Sequence, residues 1–189
     1  MPAGGAVTQR ENGVLIGTVL DLADPESLGR VKLRLPQFED QQTDWARVAS
    51  PMAGKDRGFF FRPEVGDEVL VAFENGDPRC AYVLGALWSK VDTRPPDDGN
   101  DAQNNWRFIK SRSGHIVKLD DTKGAEKIEI IDKSGNNKIV IDSATSKIEI
   151  TCTGDMDIKA GGALKIEATT VDIKATAAMT IKGQPVNIN

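Results

Sequence analysis

The stretch Lys127-Ile128-Glu129-Ile130 opens a phrase that recurs to the end of the chain. In each copy, two apolar residues stand two positions apart among lysine, acidic and threonine side chains. The copies return at intervals that settle near eight residues. The second apolar residues of the copies are Ile130, Ile141, Ile150, Ile158, Ile166, Ile173, Ile181 and Ile188. Regular repetition of this kind predicts stacked structural units.

The spacing within each copy predicts β-strands. Side chains two apart lie on one face of a strand, whereas an amphipathic helix needs apolar residues at i, i+3 and i+4. Turn-forming residues separate the copies, as in Gly135-Asn136-Asn137 and Gly161-Gly162. The sequence therefore predicts about eight short strands, each with one apolar face.

This apolar face has no evident cover in the same chain, since no aromatic residue follows Phe108 and no amphipathic helix follows the repeats. Three copies wound about an axis would turn every apolar face inward and pair the open edges between chains. A single-chain β-solenoid and an ordinary antiparallel sheet remain alternatives on periodicity alone. The expected trimer core is Ile128, Ile130, Ile139, Ile141, Ile148, Ile150, Met156, Ile158, Leu164, Ile166, Val171, Ile173, Met179 and Ile181.

Composition restricts the class of protein. The chain has 189 residues and a formal net charge of −4, and no stretch approaches the length of apolar sequence that spans a bilayer. The first residues carry neither a basic region nor an apolar core, so we expect no signal peptide and synthesis in the cytoplasm. Cys80 and Cys152 are expected to stay unpaired.

The N-terminal half predicts a small β-barrel. Alternating apolar runs at 14–20, 30–35, 45–49, 66–73 and 79–87 predict five strands, with a hairpin turn at 74–77. Five turn-linked strands in a segment of this size favour an oligonucleotide/oligosaccharide-binding (OB) barrel. We therefore expect an all-β chain divided into an N-terminal arm (1–11), an OB-fold domain (12–90), a linker (91–105) and a β-helix (106–189).

Nucleic-acid binding is one alternative function for an OB barrel. An OB barrel that binds nucleic acid needs a basic groove with stacking aromatics, and the only candidate is the cluster of Arg57, Phe59–Phe61 and Arg62. Because the chain is acidic, we expect that cluster to pack under the barrel or against another protein, and we expect no nucleic-acid partner.

Enzymatic candidates are weak. They are the Ser111–His115 run with the only histidine, the acidic group Asp97, Asp98 and Asp101, and the carboxylates Glu64 and Glu68. None has the spacing of a triad, a calcium loop or a glycosidase pair. We expect no catalytic residue, no metal site and no cofactor, so the chain is expected not to be an enzyme. The alternative function is a single-chain β-solenoid carbohydrate-active protein or a nucleic-acid-binding OB module.

Several ordered motifs resemble a known family. Residues 12–36, the run Gly58–Val71 and the run Phe73–Arg79 are similar to the OB domain of phage baseplate assembly protein V and VgrG spike proteins. The pattern closes at 82–88, and 111–121 resembles the junction into that family's β-helix. The resemblance implies a homo-trimeric central spike of a contractile injection machine, in which an OB-type barrel is followed by an intertwined trimeric β-helix (prism). Such a spike pierces the target envelope when the sheath contracts.

The resemblance also implies partners. They are two further copies of the chain, a separate hub protein at the OB end, a PAAR-repeat tip protein at the C-terminal end, and transient contact with a target membrane. The expected tip-binding residues are Val186, Asn187, Ile188 and Asn189. Against the pattern of that family we expect no hub domain before the barrel and no inserted lysozyme domain, and the sequence has no His-x-His ion site, since His115 is its only histidine. We expect assembly into the baseplate of a phage tail or injection particle.

Overall fold

The structure is a computed structural model that describes residues 13–97, 99 and 102–187. The chain divides into two compact units, Met1–Asp101 and Ala102–Asn189, here called the N-terminal and C-terminal units. The expected N-terminal arm, 1–11, lies outside the described residues. Both units are built from strands, with two single-turn 3-10 helices at Pro36–Phe38 and Glu74–Gly76, so the all-β prediction is confirmed.

The N-terminal unit is a six-stranded sheet with a separate two-stranded hairpin. Its strands are β1 (Val14–Asp21), β2 (Lys32–Leu35), β3 (Gln41–Gln42), β4 (Arg47–Val48), β5 (Ala53–Gly54), β6 (Arg57–Gly58), β7 (Glu68–Phe73) and β8 (Ala81–Leu87). Along the sheet the strands follow the order β3-β2-β1-β7-β8-β4, and only the β4–β8 pair is parallel. The hairpin consists of β5 and β6.

Two features curl this sheet toward a barrel. The register shifts in β1 between Val19 and Asp21 and again where β7 meets β8, and such bulges bend a strand and increase its twist. The residues just before β2 and β4 then meet: Val31 and Ala46 exchange two backbone hydrogen bonds of 3.0 and 2.8 Å. The two ends of the sheet are thereby joined, as an OB-type barrel requires.

The interior of the curled sheet is aliphatic. Alternate residues of β1, β2, β7 and β8 turn inward, and none of the members is more than 6% exposed. Full burial of a valine or leucine side chain contributes roughly 1.5–3 kcal/mol, so this small set supplies most of the unit's hydrophobic stabilisation. The members are Val19, Val31, Leu33, Leu35, Ala46, Val69, Val71, Ala81 and Val83.

Two predicted elements of this unit differ in the structure. The third strand, expected over 45–49, pairs only as β4 and the preceding bridge at Ala46, because Ala49 leaves the ladder after one bond to Val83. The hairpin turn at 74–77 is a 3-10 turn in which Asn75 has a φ of 50° and Gly76 a φ of 76°. Asparagine and glycine tolerate this left-handed region better than other residues.

The C-terminal unit begins with a five-stranded antiparallel meander. Its strands are β9 (Trp106–Lys110), β10 (Ile116–Asp120), β11 (Lys127–Ile131), β12 (Lys138–Asp142) and β13 (Lys147–Thr151). Each strand pairs with the next in sequence.

The last repeats differ from the expectation. Among the described residues after Thr151 none lies in a strand, although the same alternation of polar and apolar residues continues. A strand needs a hydrogen-bonding neighbour, and the single chain offers none to this segment. The predicted β-helix thus stays a prediction, while the first three repeats form an antiparallel sheet within the chain.

Candidate assembly surfaces

One face of the meander carries only aliphatic side chains apart from Arg107 at its edge. Cross-strand partners on this face are apolar in pair after pair, such as Val117 with Ile130 and Ile139 with Ile150. Its side chains are 39–69% exposed. We call this surface the aliphatic face: Ile109, Val117, Leu119, Ile128, Ile130, Ile139, Ile141, Ile148 and Ile150.

A contiguous apolar surface of this kind is rare on a protein that works as a monomer. Such proteins seldom expose apolar patches larger than a few hundred Å², and larger ones mark interaction surfaces. Nine neighbouring aliphatic side chains, each near half exposed, fall in that range. Six of them belong to the predicted trimer core, and the structure brings those six onto one face.

The opposite face, here called the polar face, carries charged side chains beside apolar ones such as Ile116 and Val140, and it is better covered. Lys118, Asp120 and Glu129 are each at most 8% exposed, although all three carry charge. The Lys118 ammonium lies 2.5 Å from Glu129 Oε2, 3.7 Å from Asp120 Oδ2 and 3.9 Å from the centre of the Trp106 ring. We call these four residues the polar cluster.

Hydrogen bonds set the charge state of Asp120 in this cluster. Burial raises the pKa of Asp120, but the Thr122 hydroxyl and backbone N–H, together with the Lys118 charge, outweigh it and hold the pKa below its usual value. Asp120 is therefore ionised beside Lys118 at neutral pH. Sequence reasoning missed the polar cluster, because its members come together only through the register of three strands.

The remaining predicted core residues lie on the segment that follows β13, in which no described residue belongs to a strand. Their side chains are 49–70% exposed, and the single chain does not bring them together. These residues are Met156, Ile158, Leu164, Ile166, Val171, Ile173, Met179 and Ile181.

The predicted tip-binding residues are only partly described. Val186 is 47% exposed and Asn187 is exposed, whereas Ile188 and Asn189 lie outside the described residues.

A second uncovered apolar surface lies on the N-terminal unit. Phe59, Phe60 and Phe61 follow β6 and are 52%, 76% and 64% exposed, so they do not pack under the barrel. The Phe59 and Phe61 rings stack with centroids 6.3 Å apart, while Phe60 lies against Gly29. Together with Leu28 and Met52 they line an open cavity of about 530 Å³. We call the three phenylalanines the phenylalanine patch.

The loop beside this patch is fixed by one carboxylate. Asp24 accepts backbone hydrogen bonds from Glu26, Leu28 and Arg30 and an ion pair of 2.7 Å from the Arg30 side chain. The Arg30 guanidinium, with these N–H donors, holds the pKa of Asp24 well below its usual value. Leu28 and Gly29 are thereby held next to Phe60.

The described members of the candidate catalytic groups take part in hydrogen bonds of loops and turns. His115 Nδ1 accepts a hydrogen bond of 3.2 Å from the Lys133 backbone N–H. Ser111 Oγ accepts a hydrogen bond from the backbone N–H of His115, and this bond does not involve the imidazole ring. Asp97 bonds to Arg94 and to the Gly99 N–H, while Asp98 and Asp101 lie outside the described residues.

Other chemical features are few in the described part of the chain. Glu64 donates its backbone N–H to Asp67, within the turn that precedes β7. No group of three or more metal-ligating side chains occurs among the described residues. Cys80 and Cys152 are free thiols. None of the described helices is long and apolar enough to cross a bilayer.

The fold and its uncovered surfaces define the class: an all-β protein with an OB-type domain. Residues 15–88 match the family model of the type VI secretion system/phage-baseplate injector OB domain. The chain is thus related to VgrG-type baseplate spike proteins, as the sequence motifs predict, and the OB-type expectation is confirmed.

Three relatives illustrate the relationship. The type VI secretion system spike protein VgrG1a of Pseudomonas aeruginosa is 26% identical over 149 residues, which are 73% of this chain and 23% of that protein. Spike protein VgrG3 of Vibrio cholerae is 29% identical over 129 residues, or 62% of this chain and 13% of that protein. The actin cross-linking toxin VgrG1 of Vibrio cholerae is 33% identical over 93 residues, or 44% and 8%. The chain therefore spans less than a quarter of the length of these relatives.

Proposed function

We propose that this chain is the central spike of a contractile injection machine, working as a homo-trimer that pierces a target envelope and catalyses no reaction itself. The observation that carries the proposal is the aliphatic face, an uncovered surface in a chain whose N-terminal unit is an injector OB domain. The relatives that are named spike proteins support the same role.

The trimer would cover both parts of the repeat region. The aliphatic faces of three copies meet at the axis, and this removes the apolar side chains from water. The extended segment after Thr151 finds in the neighbouring copies the hydrogen-bonding partners that its own chain does not supply. Together these contacts form the predicted prism, which transmits force along its axis.

Light scattering on the purified full-length chain tests the proposal. We expect a species of three times the 20.4 kDa chain mass that persists in mild denaturant. A clean monomer at micromolar concentration would reject the spike and favour a single-chain solenoid or a binding module.

The phenylalanine patch is the proposed contact for the hub protein. Exposed aromatics are typical anchors of protein interfaces. Lys55 and Arg57 lie on the adjacent hairpin, are exposed, and form no ion pair within the described part of the chain, so the hub surface is expected to be apolar with an acidic rim.

Replacing Phe60 tests this contact. Phe60→Asp is expected to leave the trimer mass unchanged and to prevent incorporation of the chain into baseplate particles. Phe38→Leu, a change in a partly buried residue elsewhere in the barrel, is the control and is expected to be incorporated. Normal incorporation of Phe60→Asp would place the hub contact on another surface.

At the C-terminus of the chain, residues 186–189 are the proposed binding site of a PAAR-repeat tip protein. Val186 offers an apolar side chain there, and three copies would present three of them around the axis.

A further inference from the structure

We propose that Lys118 and Glu129 are positioning residues whose buried ion pair selects the pairing register of β10 and β11. The register in turn decides which aliphatic side chains stand side by side on the aliphatic face. The use of that face for trimer assembly rests on the proposed function, whereas the selection of register does not.

The hydrophobic pattern fixes the face of each strand more firmly than it fixes the register. Because side chains alternate between the two faces of a strand, a shift by one residue would bury the wrong face, but a shift by two keeps every isoleucine on its own side. Such a shift would lose one apolar pair of the aliphatic face, since Leu119 would meet Glu126 or Val117 would meet Asp132. The loop at 121–126 also restricts the register, as the loops of hairpins do. A further feature, on the polar face, separates the observed register more sharply from its neighbours two residues away.

Charge pairing on the polar face provides that feature. In the observed register Lys118 stands opposite Glu129, and Asp120 stands opposite Lys127, so both pairs are of opposite sign. A two-residue shift in one direction would set Lys118 opposite Lys127. The same shift in the other direction would set Asp120 opposite Glu129. Like charges directly opposite on a sheet are destabilising.

Burial makes this choice stricter than it would be on an exposed face. The Lys118 and Glu129 side chains are 10% and 11% exposed, and the Trp106 ring covers the ammonium group. A charge held in such surroundings without its partner is costly, and an ion pair there gives little net stability over apolar residues. Specification of register is the best-attested use of such a buried pair.

The chain contains a matched pair that lacks these properties. On β13, Lys147 and Glu149 also form an ion pair, at 2.7 Å, but their side chains are 63% and 44% exposed. Both belong to the same strand, so their attraction does not depend on which residue of a neighbouring strand lies opposite. This pair should have no influence on the register of β10 and β11.

Two reporter disulfides in the full-length chain can read the register. With Cys80 and Cys152 replaced by serine, Ile116→Cys with Ile131→Cys joins residues that are opposite in the observed register. Ile116→Cys with Lys133→Cys joins residues that become opposite only after the two-residue shift that sets Asp120 opposite Glu129. Both reporters use residues of the polar face or the adjoining turn, so the aliphatic face stays intact.

In chains that keep Lys118 and Glu129, we expect the disulfide between positions 116 and 131 to form and the disulfide between positions 116 and 133 to form only in trace amounts. Lys118→Leu with Glu129→Leu should raise the yield of the second by about tenfold, which corresponds to a lost preference of about 1.4 kcal/mol, while the melting temperature is retained. Lys118→Arg, which keeps the charge, should preserve the original ratio. Lys147→Leu with Glu149→Leu should also leave it unchanged.

An unchanged disulfide ratio in the Lys118→Leu, Glu129→Leu chain would overturn the proposal. If that chain does not fold, Glu129→Gln, which keeps the size of the side chain, provides the same comparison. Light scattering on the reporter chains separates this result from the proposed function. A monomer with the observed register would reject the spike and leave the register assignment standing, while a trimer with an unchanged ratio would do the reverse.

Discussion

At the scale of single residues, one carboxylate organises the loop beside the phenylalanine patch. Asp24 accepts three backbone N–H groups and the Arg30 guanidinium. The loop between β1 and β2 contains two positive φ values, 55° at Ser27 and 76° at Gly29, and these hydrogen bonds hold it in that shape. Charged acceptors of several N–H bonds are among the stronger polar interactions in proteins.

Asp24→Asn is expected to lower the melting temperature at pH 7, because the neutral amide binds the same donors more weakly. The Arg30 guanidinium holds the folded-state pKa of Asp24 well below the ordinary value of an aspartate, so its stabilisation is complete above that ordinary value and declines as the pH falls from there toward the lowered folded-state pKa. The difference between wild type and variant should therefore be smaller at pH 3 than at pH 7. Asp56→Asn, a change in an exposed turn, is the control for calorimetry at both pH values.

Substitutions at two adjacent residues of one late repeat are expected to have opposite effects on trimer assembly. Ile158→Asp would place three carboxylates together at the axis of the proposed trimer, and uncompensated buried charge should prevent assembly. Lys159→Ser removes only an exposed ion pair with Asp157, which contributes about 0–1 kcal/mol. Light scattering should show a monomer for the first variant and an unchanged trimer for the second. A trimer that survives Ile158→Asp would contradict the inward position of this residue.

At the scale of elements, the two faces of each repeat strand have different roles. On β12, Ile139 and Ile141 lie on the aliphatic face, while Val140 lies on the polar face with Glu129 and Glu149 as its neighbours across the strands. A residue's effect on assembly should therefore depend on its face more than on its hydrophobicity.

Ile141→Lys and Val140→Lys test this dependence within one strand. Ile141→Lys is expected to abolish the trimer, because a lysine at the axis cannot reach water. Val140→Lys should keep it, since the new ammonium lies beside the two glutamates and opposite charges pair well across strands. Equal loss of the trimer in both variants would mean that β12 is buried on both faces.

At the scale of the whole molecule, the two units should differ in how they depend on other copies. The N-terminal unit has its own aliphatic core, whereas the apolar residues of the C-terminal unit are largely exposed in one chain. Association with other copies stabilises only the folded unit that forms the contacts between copies. Folding of the repeats should thus depend on association between copies, whereas folding of the barrel should not depend on it.

Thermal unfolding at several protein concentrations measures this coupling. The transition of the C-terminal unit should move to higher temperature as concentration rises, by mass action, while that of the N-terminal unit stays constant. Circular dichroism follows the loss of strand structure in both units. The C-terminal unit is followed by the fluorescence of Trp106, in a chain in which Trp45 and Trp88 are replaced by phenylalanine. Two concentration-independent transitions would contradict association through the repeats.

Much of the fold follows from local pattern. Period-two alternation correctly predicts strands in the barrel and in the first three repeats, because one buried face imposes that period on any half-covered strand. The face carrying Ile128, Ile139 and Ile148 also follows from the pattern, since parity along a strand fixes which side chains emerge together. The family motifs predict the OB-type domain, which the injector OB-domain match confirms.

The sequence by itself determined the all-β class, most strands of the barrel and of the first three repeats, and the six isoleucines of those repeats that share the aliphatic face, because these depend on spacing within a few residues. Only the tertiary structure decided the rest: the closure of the barrel at Val31 and Ala46, the exposure of Phe59–Phe61, and the burial of the ion pair between Lys118 and Glu129. Each of these depends on which strands become neighbours and in which register. Pairing between distant segments is a property of the whole sheet, and no local pattern carries it.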